Sequence, residues 1–142
     1  MGLIERFNNH VEYWAHKDKL DNAVATFHEQ LNLGNFAAIF AAAHTTFKRT
    51  TSKKAFVAML DAIHTKLGNV LRCGEPQWTV TSEFVPHLDA HKTNILLTYQ
   101  TQFTSGDATE TFNYRLFARE ISLYDYSINS SALTRLPIER NA

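Results

Sequence analysis

Between Thr93 and Phe117 apolar and polar residues alternate along two arms that flank Ser105-Gly106-Asp107, and that pattern demands a long β-hairpin. The arms are TNILLTYQTQF and ATETFNYRLF. With Gly106-Asp107 as a two-residue turn, Gly supplies the positive φ that a type II′ turn needs. The register then predicts Phe103 opposite Glu110, Thr101 opposite Phe112, Tyr99 opposite Tyr114 and Leu97 opposite Leu116. One face is apolar and aromatic; Gln100, Gln102, Thr111, Asn113 and Arg115 make the other polar. A one-residue slip would mix the two sets, so the pattern assigns each side chain to a face. Arms of about ten residues exceed the usual five or six and imply a bent sheet that wraps something.

The chain has 142 residues, which is one domain with room for a real core. Fourteen basic residues balance fourteen acidic ones, so no long-range field draws nucleic acid, and nucleic acid is excluded as a partner. Cys73 is the only cysteine, which excludes an internal disulfide and a cysteine metal cluster; its expected role is that of a small apolar filler. No stretch approaches the ~20 apolar residues of a membrane span. The first residues lack the apolar run of a signal peptide, and Arg6 stands where a myristoylation motif needs Ser or Thr.

Ile4, Phe7, Val11 and Trp14 form an apolar stripe at helical spacing, so residues 1–18 read as an amphipathic N-terminal helical segment. Its polar face is mixed in sign, which argues against a membrane-surface helix. Asp18 or Asp21 is placed to cap a second helix with core stripe Leu20, Val24, Phe27 and Leu31, ended by Gly34. A short helix around Phe36, Ile39 and Phe40 decays into His44-Thr45-Thr46. Ser52 caps the clearest helix, whose Phe56, Leu60, Ile63 and Leu67 share one face and which stops at Gly68. Val70 and Leu71 are expected to tuck under that helix end. Trp78 to Phe84 alternates as a strand ended by Pro86, and a loop through Lys92 leads into the hairpin. After Phe117 a last strand covers Ile121 to Ser130. A three-residue connection would set Tyr124 opposite Tyr114 and Tyr126 opposite Phe112; a two-residue one would turn Ile121 and Leu123 inward instead. The main domain is thus 19–131, with 132–142 a frayed tail. Helices followed by a meander of about four strands give an α+β fold, a helical wedge in a strongly bent antiparallel sheet shaped as a cone with one open mouth.

The run FHEQLNLGNFAAIFAAAHTTFKRTTSKKAFVAMLDAIHTKLGNV resembles the helical half of small bacterial cystatin-like, or nuclear-transport-factor-two-like, domains of uncharacterised function. The carrying features are Leu33-Gly34-Asn35-Phe36, Phe47-Lys48 with Ser52, and Leu67-Gly68. In the sheet half they are Leu97-Thr98-Tyr99, Phe103, Ser105-Gly106, the run Ala108 to Phe112, and Tyr126 to Ser130. The likeness covers about residues 20 to 131. It implies a cystatin-like cone and a habit of dimerising through the sheet. It also implies a bacterial envelope or periplasmic location if a leader was removed, and a cytoplasmic one otherwise. The fold hosts isomerases, dehydratases and plain binding modules, so activity does not follow from it.

An acid–base enzyme on this fold needs a sheltered, displaced titratable group inside the cone. The candidate pocket residues are Tyr99, Tyr114, Tyr126, Phe112, His64 and His28, with Tyr124 and His44 as further polar groups. Both His28 and His64 read first as satisfied core-edge histidines. Glu110 is the clearest inward carboxylate, but the hairpin register places it near a turn, where water reaches it. His87-x-Asp89-x-His91 holds two imidazoles and a carboxylate in a loop that fixes no geometry, so no metal, and no cofactor, is expected. No nucleophile elbow, phosphate loop or dinucleotide fingerprint is present. The sequence therefore points to a non-catalytic ligand- or protein-binding module acting as a homodimer, with a small apolar or aromatic ligand. The alternative is a small-molecule isomerase or hydratase with a Tyr/His pocket.

Overall fold

A computed structural model describes residues 2–85, 90–117 and 119–133, with side chains from Tyr13 onward except at 84–91. Helix α1 (Gly2–Leu33) is followed by α2 (Phe36–Ala41), α3 (Thr45–Thr50) and α4 (Lys53–Leu67). Strands β1 (Val70–Cys73), β2 (Gln77–Val85), β3 (Ala90–Phe103), β4 (Gly106–Phe117) and β5 (Glu120–Asn129) come next. The α+β class is as expected. The sheet is antiparallel, curved and open, in the order β1-β3-β4-β5, with β2 on β3 as well.

The two predicted N-terminal helices are one. No cap interrupts α1 at Asp18 or Asp21; instead Lys17 and Asp21, one turn apart, join at 2.7 Å. The buried stripe of this helix is Tyr13, Leu20, Val24, Phe27 and Leu31, while Trp14, expected inside, is half exposed. Tyr13 takes its place, stacked on Trp78 at 4.3 Å and 5°. The rest of the predicted stripe, Ile4, Phe7 and Val11, lies outside the described side chains. Gly34 ends α1 at φ 77°, in the left-handed region that glycine enters without strain. The polar run after α2 is itself helical: the His44 ring accepts from Thr46 N and caps α3. Ser52 caps α4 by accepting from Ala55 N, and Phe56, Leu60, Ile63 and Leu67 are all buried.

Five strands form where about four were expected, because Val70–Cys73 pairs with β3 rather than tucking under α4. Strands β1 and β2 occupy successive stretches of one edge of β3, separated by Gly74-Glu75-Pro76. Strand β3 starts at Ala90, so the expected loop through Lys92 closes earlier. Residues 86–89, with His87 and Asp89, lie outside the described residues.

The central hairpin corrects the predicted register. Phe103 pairs with Gly106, and Thr104-Ser105 makes the turn. The cause is α4, whose end supplies acceptors to the turn. Ser105 N donates to Leu67 O and Thr104 N to Asn69 O, both at 2.9 Å. Tyr99 therefore faces Glu110 instead of Tyr114, a displacement of four positions along β4. An even displacement preserves the faces, so Tyr99 and Tyr114 stay on the inner side, as the alternation required. The β4–β5 hairpin combines both expected alternatives. Leu123 faces Tyr114, then a bulge between Asn113 and Tyr114 resets the ladder so that Tyr126 faces Phe112. Tyr124 is not opposite Tyr114; it lies under the Arg115 guanidinium at 4.1 Å.

Candidate functional site

Phe112 is the hub of the interior. Phe27 meets it edge-on at 5.0 Å, Tyr126 lies 5.0 Å away, Tyr99 5.8 Å, and Tyr114 stacks at 6.0 Å. Helix α1 delivers Phe27 and His28 side by side onto this aromatic floor.

Next to it Glu110 is fully buried, not at a wet hairpin end as the predicted register placed it. The observed register seats it opposite Tyr99 in mid-sheet, under α1. One carboxylate oxygen pairs with His28 Nε2 at 2.7 Å and accepts from Thr101 Oγ1 at 2.6 Å; the other accepts from Tyr126 Oη at 2.7 Å. A buried carboxylate with three donors is a satisfied group. Burial works against a charge on His28, but hydrogen bonds with Cys73 and Glu110 and the Glu110 charge outweigh it, and the imidazole is pushed up to about 9. At neutral pH His28 is an imidazolium. Burial, reinforced by Glu110, holds the Tyr126 phenol well above its usual range, so it remains a donor.

Two cavities flank this knot on opposite sides of α1. The first, about 510 Å³, lies between α1, α2 and the β4–β5 hairpin. Ala23, Phe27, Ile39, Tyr114, Ile121 and Leu123 wall it, and Lys19 and Arg119 stand among its lining. Tyr114 is 4% exposed, yet its hydroxyl forms no hydrogen bond among the described residues. Burial raises its pKa and keeps it a donor. The second, about 460 Å³, lies between α1, β1 and β3, with His28, Cys73 and Tyr99 in its wall.

The sequence candidates thus divide. His28, Phe112 and Tyr126 meet at Glu110, Tyr114 lines the first cavity, and Tyr99 the second. His64 is elsewhere, at the end of α4, where its Nε2 meets Asn69 Oδ1 at 3.0 Å. His44 holds the start of α3, and burial lowers its pKa. Sequence reasoning missed Thr101 as a member of the network. The available signal for Glu110 was its inward parity, which the misplaced turn discounted. Among the described residues no group of three or more His, Cys, Asp or Glu is placed to hold a metal ion. Among them, too, no helix is long and apolar enough to cross a membrane. No family model, curated protein or solved structure matches this chain.

Proposed function

We propose that the protein is a binding module for a small apolar or aromatic molecule carrying an anionic group, held in the cavity between α1, α2 and the β4–β5 hairpin. The observation that carries this reading is the hydroxyl of the buried residue Tyr114, a donor without a hydrogen bond among the described residues, in the wall of a mostly apolar space. Cavities of roughly 300–1,000 Å³ with apolar walls and a few placed polar groups are what small ligands occupy. The ligand's apolar body packs on Phe27, Ile39 and Leu123. Tyr114 donates to an acceptor on it, and Lys19 and Arg119 face its charge. The bent sheet with α1 across it is a cystatin-like cone, and this cavity is its mouth. Two copies pair through the outer sheet face, where Leu96 and Phe117 are exposed; light scattering at a monomer's mass would remove that part.

The test is titration with 1-anilinonaphthalene-8-sulfonate, an aromatic anion, followed by fluorescence and by backbone NMR. The expected result is one saturable site whose shifts map to Ala23, Ile39, Ser122 and Leu123. Tyr114→Phe weakens it about tenfold, the loss of one buried hydrogen bond, and Ala23→Phe, which fills the space, abolishes it. Binding unaffected by both variants contradicts the proposal.

A further inference from the structure

The outer sheet face, away from the buried knot, carries an arginine that is held in place but not neutralised. Arg115 and Asn94 are paired across β4 and β3, and Arg115 Nε donates to Asn94 Oδ1 at 2.7 Å. The guanidinium also sits over the Tyr124 ring, 4.1 Å from its centre. Tyr124 is in reach because of the β4–β5 bulge: Leu123 faces Tyr114 and Asp125 faces Asn113, which leaves Tyr124 as the extra residue between them. His44 meets the same ring edge-on at 5.4 Å, since its backbone N–H donates to Leu123 O and docks the start of α3 on β5. Pinned in this way, Arg115 keeps its two terminal Nη groups without a hydrogen bond or ion pair among the described residues.

The surroundings add positive charge. Lys92 is two residues from Asn94 on the same face of β3, diagonal to Arg115, and it too has no ion pair among the described residues. Burial, and then the positive charges of Arg115, Lys92 and Arg49, hold the His44 imidazole below its ordinary range. His44 is therefore neutral at pH 7, and because its Nδ1 accepts from Thr46 N the proton is on Nε2, a further donor. Three carboxylates border this face: Glu83 opposite Lys92, Glu120 opposite Phe117, and Asp125, whose Oδ1 accepts from Tyr126 N. None of them forms an ion pair with Arg115 or Lys92.

We propose that this is a binding site for the phosphoryl group of a small, soluble phosphate monoester. The Arg115 fork is its principal donor, Lys92 its second cation, and Asn94 and Tyr124 are positioning residues. A guanidinium fixed at Nε presents its Nη pair to two oxygens at once, the geometry that suits phosphate. A phosphoryl group brings about two negative charges and three acceptor oxygens, enough for the fork, the Lys92 ammonium and His44 Nε2–H; a carboxylate brings one charge and two oxygens. The formal net charge of the chain is zero, so no long-range field draws this face to an anionic membrane, and the ester is a soluble one. The pairing of copies proposed above would cover this face, so a bound ester and a second copy exclude one another.

The experiment titrates the full chain with phenyl phosphate, and separately with benzoate, followed by backbone NMR at a protein concentration where light scattering gives a monomer's mass. The expected result is one saturable site with a Kd of about 1 mM or tighter. Its shifts map to Asn94, Arg115, Ser122 and Tyr124, and not to Ala23 and Ile39 of the first cavity. Benzoate binds at least about tenfold more weakly. Arg115→Lys, which keeps the charge and loses the fork, weakens the ester about tenfold. Asn94→Ala, which removes no charge, weakens it about threefold by freeing the guanidinium. Vesicles of phosphatidic acid in phosphatidylcholine are expected to leave the protein in the supernatant. No saturation up to about 10 mM, benzoate binding as tightly as the ester, or an unchanged affinity in Arg115→Lys overturns the inference. Pelleting with the vesicles that Arg115→Lys abolishes overturns the assignment to a soluble ester. A chain that is dimeric at every concentration and binds no ester overturns the site as well, and leaves the pairing of copies standing.

Discussion

Glu110 and Tyr114 are four residues apart on β4, both on the inner face, both almost wholly removed from water. Glu110 has three donors on its two oxygens, whereas Tyr114 has none on its hydroxyl among the described residues. The contrast separates two uses of a buried polar group. Glu110 is tied into α1, β3 and β5 at once and fixes how they sit. Tyr114 leaves a donor facing a cavity, where water or a ligand can accept from it.

The comparison is broken most forcefully at the tied end. Glu110→Ala leaves the His28 imidazolium buried without its counter-charge and two hydroxyls without an acceptor. The expected loss is about 3–5 kcal/mol in urea unfolding, enough to leave much of the chain unfolded. A loss below about 1 kcal/mol would show that the knot does not hold the elements together. The next effect is of pH. His28 binds its proton more tightly folded, near 9, than at its ordinary 6.5, so its contribution is complete below about 6.5. It fades as pH rises through about 9, a loss of about 3 kcal/mol. Stability measured across that window should fall, and fall less in His28→Gln. A smaller effect comes from the joint that sets the register of β3 and β4. Gly68 sits at φ 81°, and a Cβ there would collide with Thr104 Oγ1. Gly68→Ala is expected to cost about 2 kcal/mol by thermal unfolding.

These residues also show what was legible in the sequence. The inner face of the hairpin, the α4 stripe and the stops at Gly34 and Gly68 follow from local periodicity and glycine chemistry, and they stand in the structure. The turn position did not follow, because Thr104-Ser105 is selected by carbonyls at the end of α4, which lie far away in sequence. That displacement moved Glu110 from a presumed edge to the centre. The meeting of His28, Thr101 and Tyr126 at Glu110 joins α1, β3, β4 and β5 and has no short-range spacing to reveal it. Trp14 and Tyr13 exchanged roles for a like reason: the stacking partner of Tyr13, Trp78, belongs to β2.

The most direct measurement makes one chemical change at two places. Removing a hydroxyl by Tyr126→Phe takes a donor from buried Glu110, whereas Tyr114→Phe removes a donor that bonds nothing among the described residues. In urea unfolding at pH 7, Tyr126→Phe is expected to lose about 1–3 kcal/mol and Tyr114→Phe to stay within about 0.5 kcal/mol of the unmodified chain. Equal losses at the two tyrosines would contradict the account.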